Sequence, residues 1–267
     1  MKIGIVGVGC IGSANQAGFE FVGHTVIGHD PKLNTTIDIV KNTEIVFVCV
    51  PTPSDDNGGC DLSIIMSVLE DFNNMNYKGI IAIRSTVIPG FTQNMINKYT
   101  NLSICFVPEF LRERCAVNDF IKNQKLLAVG TNDQYVYQQV SLAFGKLPTT
   151  TIQLTPNEAE ILKYFNNSYA AMRVTFANIM YELCKKFEAD YTVVKNAYIS
   201  TGKAGDMYLD VAPHLRGYGG KCLPKDIKAL SLLIKEHNLP FNLISAIDHD
   251  NTQIDTTVFN GMRQADE

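Results

Sequence analysis

The sequence predicts an α/β protein, with a doubly wound parallel sheet in its N-terminal part followed by an all-α domain. Three observations predict it. Over roughly the first 150 residues, short β-rich runs alternate with helix-length segments, the pattern of strand–helix–strand units and of a parallel sheet covered on both faces. A glycine-rich turn, Gly7-Val8-Gly9-Cys10-Ile11-Gly12, joins the first run to the first helical segment. Beyond Thr155 the β-rich runs stop and helical segments continue.

In chain order, strands are expected at Lys2–Val6, Thr25–Gly28, Ile45–Val50, Ile80–Arg84, Ser103–Val107, Leu126–Val129 and Thr150–Leu154. Helices are expected at Cys10–Phe21, Leu62–Phe72, Phe91–Tyr99 and Gln134–Phe144. Thr155-Pro156-Asn157-Glu158 then reads as a helix start, with Thr as N-cap, Pro at the first helical position and Glu three residues after the cap. No Gly or Pro interrupts from there to Lys186, which gives about 45 Å of helix at 1.5 Å per residue. So long a helix points to a spine between domains or a dimer interface. Shorter helices are expected at Thr192–Ile199, Lys225–His237 and Asn242–Met262, and the domains at 1–154 and 155–267.

Composition narrows the function classes. The 267 residues are 46% hydrophobic and 19% charged, enough for a substantial core, and they leave no room for a third full domain. The net charge of −4 and the lack of any Lys/Arg run argue against nucleic acid and membrane surfaces as partners. No apolar stretch approaches the roughly 18 residues that cross a bilayer. Glycines at 4, 7, 9 and 12 break the apolar start that would otherwise suggest a secretory signal, and the C-terminal Ala265-Asp266-Glu267 is neither a prenylation nor a retention signal. Seven cysteines, odd in number, widely spaced and without a C-x-x-C, argue against a disulfide framework and against a metal site. A reducing cytoplasm is the default location.

The glycine turn is G-x-G-x-x-G between a strand and a helix, the Rossmann-type dinucleotide fingerprint. Gly7, Gly9 and Gly12 permit the tight turn, the approach of backbone to pyrophosphate and close helix–strand packing; Cys10 and Ile11 complete the loop. The pyrophosphate would sit at the helix N-terminus. Asp30 ends the second strand 18 residues after Gly12, where a carboxylate accepts from a ribose 2′-OH and repels a 2′-phosphate. NAD is therefore expected over NADP. The Asp55-Asp56-Asn57-Gly58-Gly59 loop lacks the closing Glu of a calcium loop and reads as a solvated turn.

The richest stretch is Arg216-Gly217-Tyr218-Gly219-Gly220-Lys221-Cys222-Leu223-Pro224-Lys225-Asp226. Three glycines bring backbone close to a ligand, and Cys222 precedes a helix that Pro224 opens. A thiol at a helix N-terminus beside lysines is expected to titrate below the free value of about 8.5 and to be nucleophilic. Asp226 is placed to orient or deprotonate a water.

These residues, with others in order along the chain, resemble the UDP-glucose 6-dehydrogenase group of nucleotide-sugar dehydrogenases, which includes GDP-mannose 6-dehydrogenases. The landmarks are Gly7–Gly12, Cys49-Val50-Pro51-Thr52-Pro53, Ser85-Thr86-Val87, Pro108-Glu109-Phe110-Leu111-Arg112-Glu113, Glu160-Ile161-Leu162-Lys163 with Asn167, and Gly217–Asp226. The resemblance implies oxidation of a sugar C6 alcohol to a carboxylate with two NAD⁺, UDP-glucose being the best substrate. Cys222 would form a thiohemiacetal and then a thioester. Lys163 and Asn167, one helical turn apart, would stabilise the developing alkoxide and the tetrahedral species. Thr86, Glu109 and Asp226 would hold or activate water. Pro51 and Thr52 would line the cofactor, and Glu113 would lie near substrate and cofactor. The Glu109–Glu113 stretch, Tyr208 and Gly219 would line the sugar.

One position departs from the pattern: Lys203-Ala204-Gly205 stands where relatives carry Arg-Ile-Gly. Lys203 keeps the charge without the planar fork, and Arg216 is a candidate to compensate. The resemblance also implies a homodimer through the helical domain. Relatives continue into a second nucleotide-binding domain, and this chain stops at Glu267, so weak substrate binding is expected. Two alternatives stand beside this reading: a two-electron β-hydroxyacid-type dehydrogenase, which needs no nucleophilic Cys, and an inactive nucleotide-binding remnant.

Overall fold

The computed structural model describes residues 1–55 and 57–258. Among these, the strands are β1 (Lys2–Val6), β2 (Thr25–His29), β3 (Ile45–Val48), β4 (Ile80–Ile83), β5 (Ser103–Phe106), β6 (Leu126–Gly130) and β7 (Thr150–Leu154). They form one sheet in the order β2-β1-β3-β4-β5-β6-β7, a Rossmann-type doubly wound arrangement. The helices are α1 (Cys10–Phe21), α2 (Ser63–Asn74), α3 (Phe91–Lys98), α4 (Ala116–Lys122), α5 (Gln134–Phe144), α6 (Pro156–Lys186), α7 (Tyr191–Ile199), α8 (Leu223–Glu236) and α9 (Leu243–Thr252).

The strands are continuous β-branched and aromatic runs because both faces are covered. Successive side chains leave by opposite faces. Val46 and Val48 of β3 thus join one apolar layer with Ile81, Ile83, Ile104 and Phe106. Ile45 and Phe47 join the other, with Ile3, Ile5 and Ala82. In the second layer Phe19 stacks on Phe47 at 4.6 Å and meets Phe144 edge-on at 5.1 Å, the offset and T-shaped geometries that aromatic quadrupoles favour.

Two expectations are corrected. The sheet is not parallel throughout: β5 and β6 pair antiparallel through Phe106 and Gly130. The connection between them carries α4, an element not expected from the sequence, which packs along α1. The last helix also does not run on to Met262; it ends at Thr252. The following segment is drawn to another loop instead, since Thr257 N donates to Arg216 O at 3.1 Å and Thr257 Oγ1 accepts from Arg216 N at 3.1 Å. β-Branched Ile254, Thr256 and Thr257 also disfavour helix. Asp56 and residues 259–262 of that expected helix lie outside the described residues.

The chain forms two compact units: residues 1–53 with 60–163, and residues 54–59 with 164–267. In the Rossmann unit, Thr155 N donates to Glu158 Oε2 at 2.7 Å and Glu158 N to Thr155 Oγ1 at 3.3 Å. This reciprocal capping box starts α6 where the sequence indicates. In the helical unit, one small core gathers Ala171, Tyr218, Ile227 and Ile247, and a second gathers Ala177, Cys184, Tyr191 and Leu209.

Candidate active site

In the Rossmann unit, the turn between β1 and α1 has the form the fingerprint requires. A Cβ on Gly12 would lie 1.9 Å from Gly7 O, and one on Gly7 would lie 2.8 Å from the Cys49 backbone, so neither position admits a side chain. Space beside Gly9 is open, with nothing within 4 Å of an added Cβ. Gly9 is the N-cap of α1 and supplies no side chain there, which leaves the first-turn N–H groups toward that space. Asp30 follows β2; its Oδ2 accepts from Val8 N and its Oδ1 from Lys32 N, each at 2.9 Å. Its carboxylate is thus fixed at the loop and keeps lone pairs for further donors. Cys10 Sγ donates to Glu113 O at 3.3 Å, which brings the Glu113 backbone to the same loop.

The ends of β3, β4 and β5 carry the next group. Thr52 Oγ1 donates to Thr86 O at 2.8 Å, and Ser85 Oγ to Val50 O at 2.7 Å. These bonds lock the Pro51-Thr52 and Thr86 loops together. Glu109 and Lys163 are both buried and form an ion pair: Lys163 Nζ donates to Glu109 Oε1 at 2.7 Å and to Glu109 O at 2.6 Å. Leu111 N donates to Glu109 Oε2 at 2.8 Å, and the ammonium lies 5.9 Å from the Phe110 ring centroid. Burial pushes the Glu109 carboxyl up, but the Lys163 charge and its hydrogen bond, the Leu111 N–H and the Arg84 guanidinium outweigh it. Glu109 is therefore held below the ordinary carboxylate range, as an anion. Arg112 forms a fork with Asp119, Nε to Oδ2 at 2.9 Å and Nη2 to Oδ1 at 2.7 Å.

In the helical unit, Asn167 Nδ2 donates to Asp226 Oδ2 at 2.6 Å, and both residues are buried. Asp226 Oδ1 lies 2.7 Å from Lys225 Nζ. Asp226 is in the first turn of α8, and its N–H donates to Cys222 O at 2.9 Å. Cys222 occupies the N-cap position, is exposed, and gives the helix no side-chain cap. The glycine-rich approach to it is braced by Asn251, whose Oδ1 accepts from Tyr218 N at 2.9 Å while its Nδ2 donates to Tyr218 O at 3.0 Å.

Residues 30–145 match the NAD binding domain, and residues 157–253 the central domain, of the UDP-glucose/GDP-mannose dehydrogenase family. The chain belongs to that family. A UDP-glucose 6-dehydrogenase of Rickettsia bellii (strain RML369-C) is 32% identical over 222 residues, 80% of this chain and 50% of the relative. The chain thus spans about half the length of that relative. Among solved structures, a UDP-glucose dehydrogenase from Pyrobaculum islandicum superposes with a TM-score of 0.86 at 22% identity, over 94% of this chain and 68% of that one. The Mycobacterium tuberculosis 3-hydroxyisobutyrate dehydrogenase superposes with a TM-score of 0.76 at 14% identity, over 94% of this chain and 92% of that one. At these identities the two structures show a shared fold.

NAD is the cofactor of the family's N-terminal domain, and the cradle at Gly7–Gly12 with Asp30 fits it. The structure joins Glu109 with Lys163, Thr52 with Thr86, and Asn167 with Asp226, so Lys163 and Asn167 each meet a carboxylate of their own. Arg216 is committed elsewhere: its Nε donates to Asn178 Oδ1 at 2.7 Å and its Nη2 to Glu182 Oε1 at 2.6 Å. Lys203 lies in an exposed turn, and the adjacent Gly205 O accepts from Arg173 Nη2. Tyr208 is held at φ 66, in the left-handed region costly for a side-chain-bearing residue. The sequence motifs do not mark Arg84. It is buried, with its guanidinium over the Phe120 and Phe144 rings at 5.9 and 5.5 Å. Its signal in the sequence is a cation closing the apolar run Ile80-Ile81-Ala82-Ile83.

Proposed function

We propose that the chain oxidises the C6 hydroxyl of a nucleotide sugar, UDP-glucose first among them, to a carboxylate in two NAD-dependent steps. The observation that carries this reading is Cys222, exposed at the start of α8, with buried Asp226 in the next turn held by Asn167. NAD, when bound along Gly7–Gly12 with a ribose at Asp30, supplies the hydride acceptor for both oxidations. Lys163 offers an ammonium to the alkoxide that forms as the alcohol gives its proton to the water held by Thr86 and Glu109. Glu109, kept anionic, fixes that ammonium, and Thr86 with Glu109 holds water. The Cys222 sulfur adds to the aldehyde carbon, giving a thiohemiacetal whose hydroxyl oxygen Asn167 steadies. Loss of a hydride and a proton turns this into a thioester. Water oriented by Asp226 then attacks the acyl carbon, releases the carboxylate and returns the thiol. The balance is four electrons, or two NADH per sugar.

We also propose that residues 1–154 serve as the cofactor domain and 155–267 as the catalytic and dimerisation domain. The partner is a second copy of the chain. Exposed Phe165, Tyr169, Phe176, Ile179 and Leu183 recur along α6 at helical spacing, with exposed Phe187 just beyond its end, a stripe that a two-fold axis would make self-complementary. A cytoplasmic location fits seven cysteines that are odd in number and widely spaced. Among the described residues no helix is long and apolar enough to cross a membrane.

A second reading, a single two-electron oxidation of a hydroxyacid, is compatible with the fold shared with the hydroxyisobutyrate enzyme. NADH formation from UDP- and GDP-sugars, set against a panel of hydroxyacids, separates the two. The first reading requires two NADH per sugar and no turnover of hydroxyacids. One NADH with release of aldehyde would overturn it.

A further inference from the structure

The buried carboxylate of Glu160 takes no part in the chemistry described so far. It is fully buried on α6, three residues before Lys163. Its Oε2 accepts from Gly90 N at 2.6 Å and its Oε1 from Thr92 N at 2.8 Å. These are the N-terminal amides of α3, whose own N-cap, Gly90 at φ 94, has no side chain to offer. A carboxylate 68 residues away in sequence therefore caps the helix that its own sequence leaves uncapped.

The segment between β4 and α3 carries Thr86. Its start is tied by Ser85 Oγ to Val50 O and by Thr52 Oγ1 to Thr86 O; its end is tied by Glu160. The same side chain also fixes α6. Just before it, Ala159 packs so closely on β6 that a Cβ on Gly130 would come within 2.7 Å of the Ala159 Cβ. One turn after it, Lys163 reaches Glu109. Burial raises the Glu160 pKa, and its hydrogen bonds to Thr92 and Gly90 only partly offset this. A neutral residue of the same shape would avoid that desolvation cost while leaving one amide without an acceptor.

We infer that Glu160 is a positioning residue: its two-pronged cap on α3 sets the Thr86 loop and the Lys163 turn of α6 in register with each other. The inference rests on the function proposed above. It assigns Glu160 no contact with substrate or cofactor, so its removal misplaces reacting groups without weakening binding. Misplacement on the ångström scale costs rate steeply.

The test compares wild type, Glu160→Gln, Thr86→Ala and the double variant by steady-state kinetics with a UDP-sugar and NAD⁺. Glu160→Gln is expected to lower kcat about tenfold or more, with both KM values within about threefold. The double variant should lose little more than the worse single variant, because both changes act through one loop. A folded Glu160→Gln protein with kcat within twofold of wild type, or strictly additive losses, overturns the inference. If Glu160→Gln does not fold, Glu160→Asp keeps the charge but reaches only one amide, and it must show the same kcat-selective loss. An inactive wild type overturns the proposed function instead. Hydrogen exchange then tests the cap alone: faster exchange at Gly90 and Thr92 in Glu160→Gln supports it, and unchanged protection overturns it.

Discussion

In the Rossmann unit each face of the sheet is sealed by a broad layer of buried side chains, from Val46 to Phe106 on one side and from Ile3 to Phe144 on the other. Among its described residues the helical unit has two small clusters of four buried residues each, while Phe176 is 57% exposed and Phe187 74% exposed. The charged groups differ in the same sense. Glu109 and Lys163 are locked within the Rossmann unit by the contacts of Lys163 Nζ with Glu109 Oε1 and O and by the Leu111 N–H, whereas Cys222 stands exposed at a helix start. The difference teaches that the two units respond to substitution in different currencies. In the first, the proposed chemistry and stability are coupled, because the groups assigned to it also satisfy one another's burial. In the second, the proposed nucleophile and the exposed stripe of α6 can be changed while the fold persists, although Asn167 and Asp226 are buried against each other there.

The largest effect that would break this comparison belongs to Cys222→Ser. Carboxylate formation should fall by about a thousandfold or more, since a hydroxyl is a far poorer nucleophile than a thiolate. Because the side chain is exposed and Ser is close to it in size, stability should stay within about 0.5 kcal/mol of wild type. Product analysis by mass spectrometry and a urea melt measure the two. Retained carboxylate production would remove Cys222 from the mechanism.

Lys163→Met is the contrasting case in the Rossmann unit. It should lower kcat by about a hundredfold to a thousandfold. Unlike the cysteine change, it should also cost roughly 3–5 kcal/mol of stability, since Glu109 is left as a buried charge without its partner. A melt unchanged from wild type would show that the ion pair contributes nothing to the fold, and the proposed coupling would fail.

A smaller effect tests association. Phe176→Asp places a charge in the exposed stripe of α6 and should convert a dimer into monomers in sedimentation velocity. Tyr135→Asp, at an equally exposed site of the Rossmann unit (63%), should leave the mass unchanged. A wild-type chain that sediments as a monomer would remove the dimer.

How much of this was legible follows the range of the interactions. Cys10–Phe21 and Pro156–Lys186 lie where the sequence places them, because each helix is announced by local chemistry: a glycine turn in one case, a capping box in the other. α4 is only seven residues long and follows Cys115 without a side-chain cap, so no local signal marked it. The end of α9 is decided by Thr257, whose partners Arg216 and Pro213 are more than 40 residues away. The site behaves in the same way. Residue types at Glu109, Lys163, Asn167 and Asp226 could be read from motifs. Their pairing across 54 and 59 residues could not, since the sheet order brings Glu109 to Lys163 in one unit and the packing of the helical unit brings Asp226 to Asn167 in the other. Glu160 stood inside a motif, yet its partners are amides, which carry no side-chain signature.

The smallest effect separates the two buried carboxylates of the Rossmann unit. Glu109 is depressed below its ordinary value of 4.5, mainly through Lys163 overcoming burial. Its contribution is therefore present above about pH 4.5 and is lost as pH falls through its lower folded value. Glu160 is raised above 4.5 by burial. Its sign is opposite: the folded state holds the proton more tightly, so falling pH removes a penalty between its raised folded value and 4.5. Thermal melts between pH 3 and pH 8 read both slopes. Relative to wild type, Glu109→Gln should flatten the curve below about pH 4.5, and Glu160→Gln should flatten it above that point. A Glu109→Gln curve running parallel to wild type through the acid limb would mean that Lys163 does not hold the carboxylate ionised, and the electrostatic basis for its place in the site would go with it.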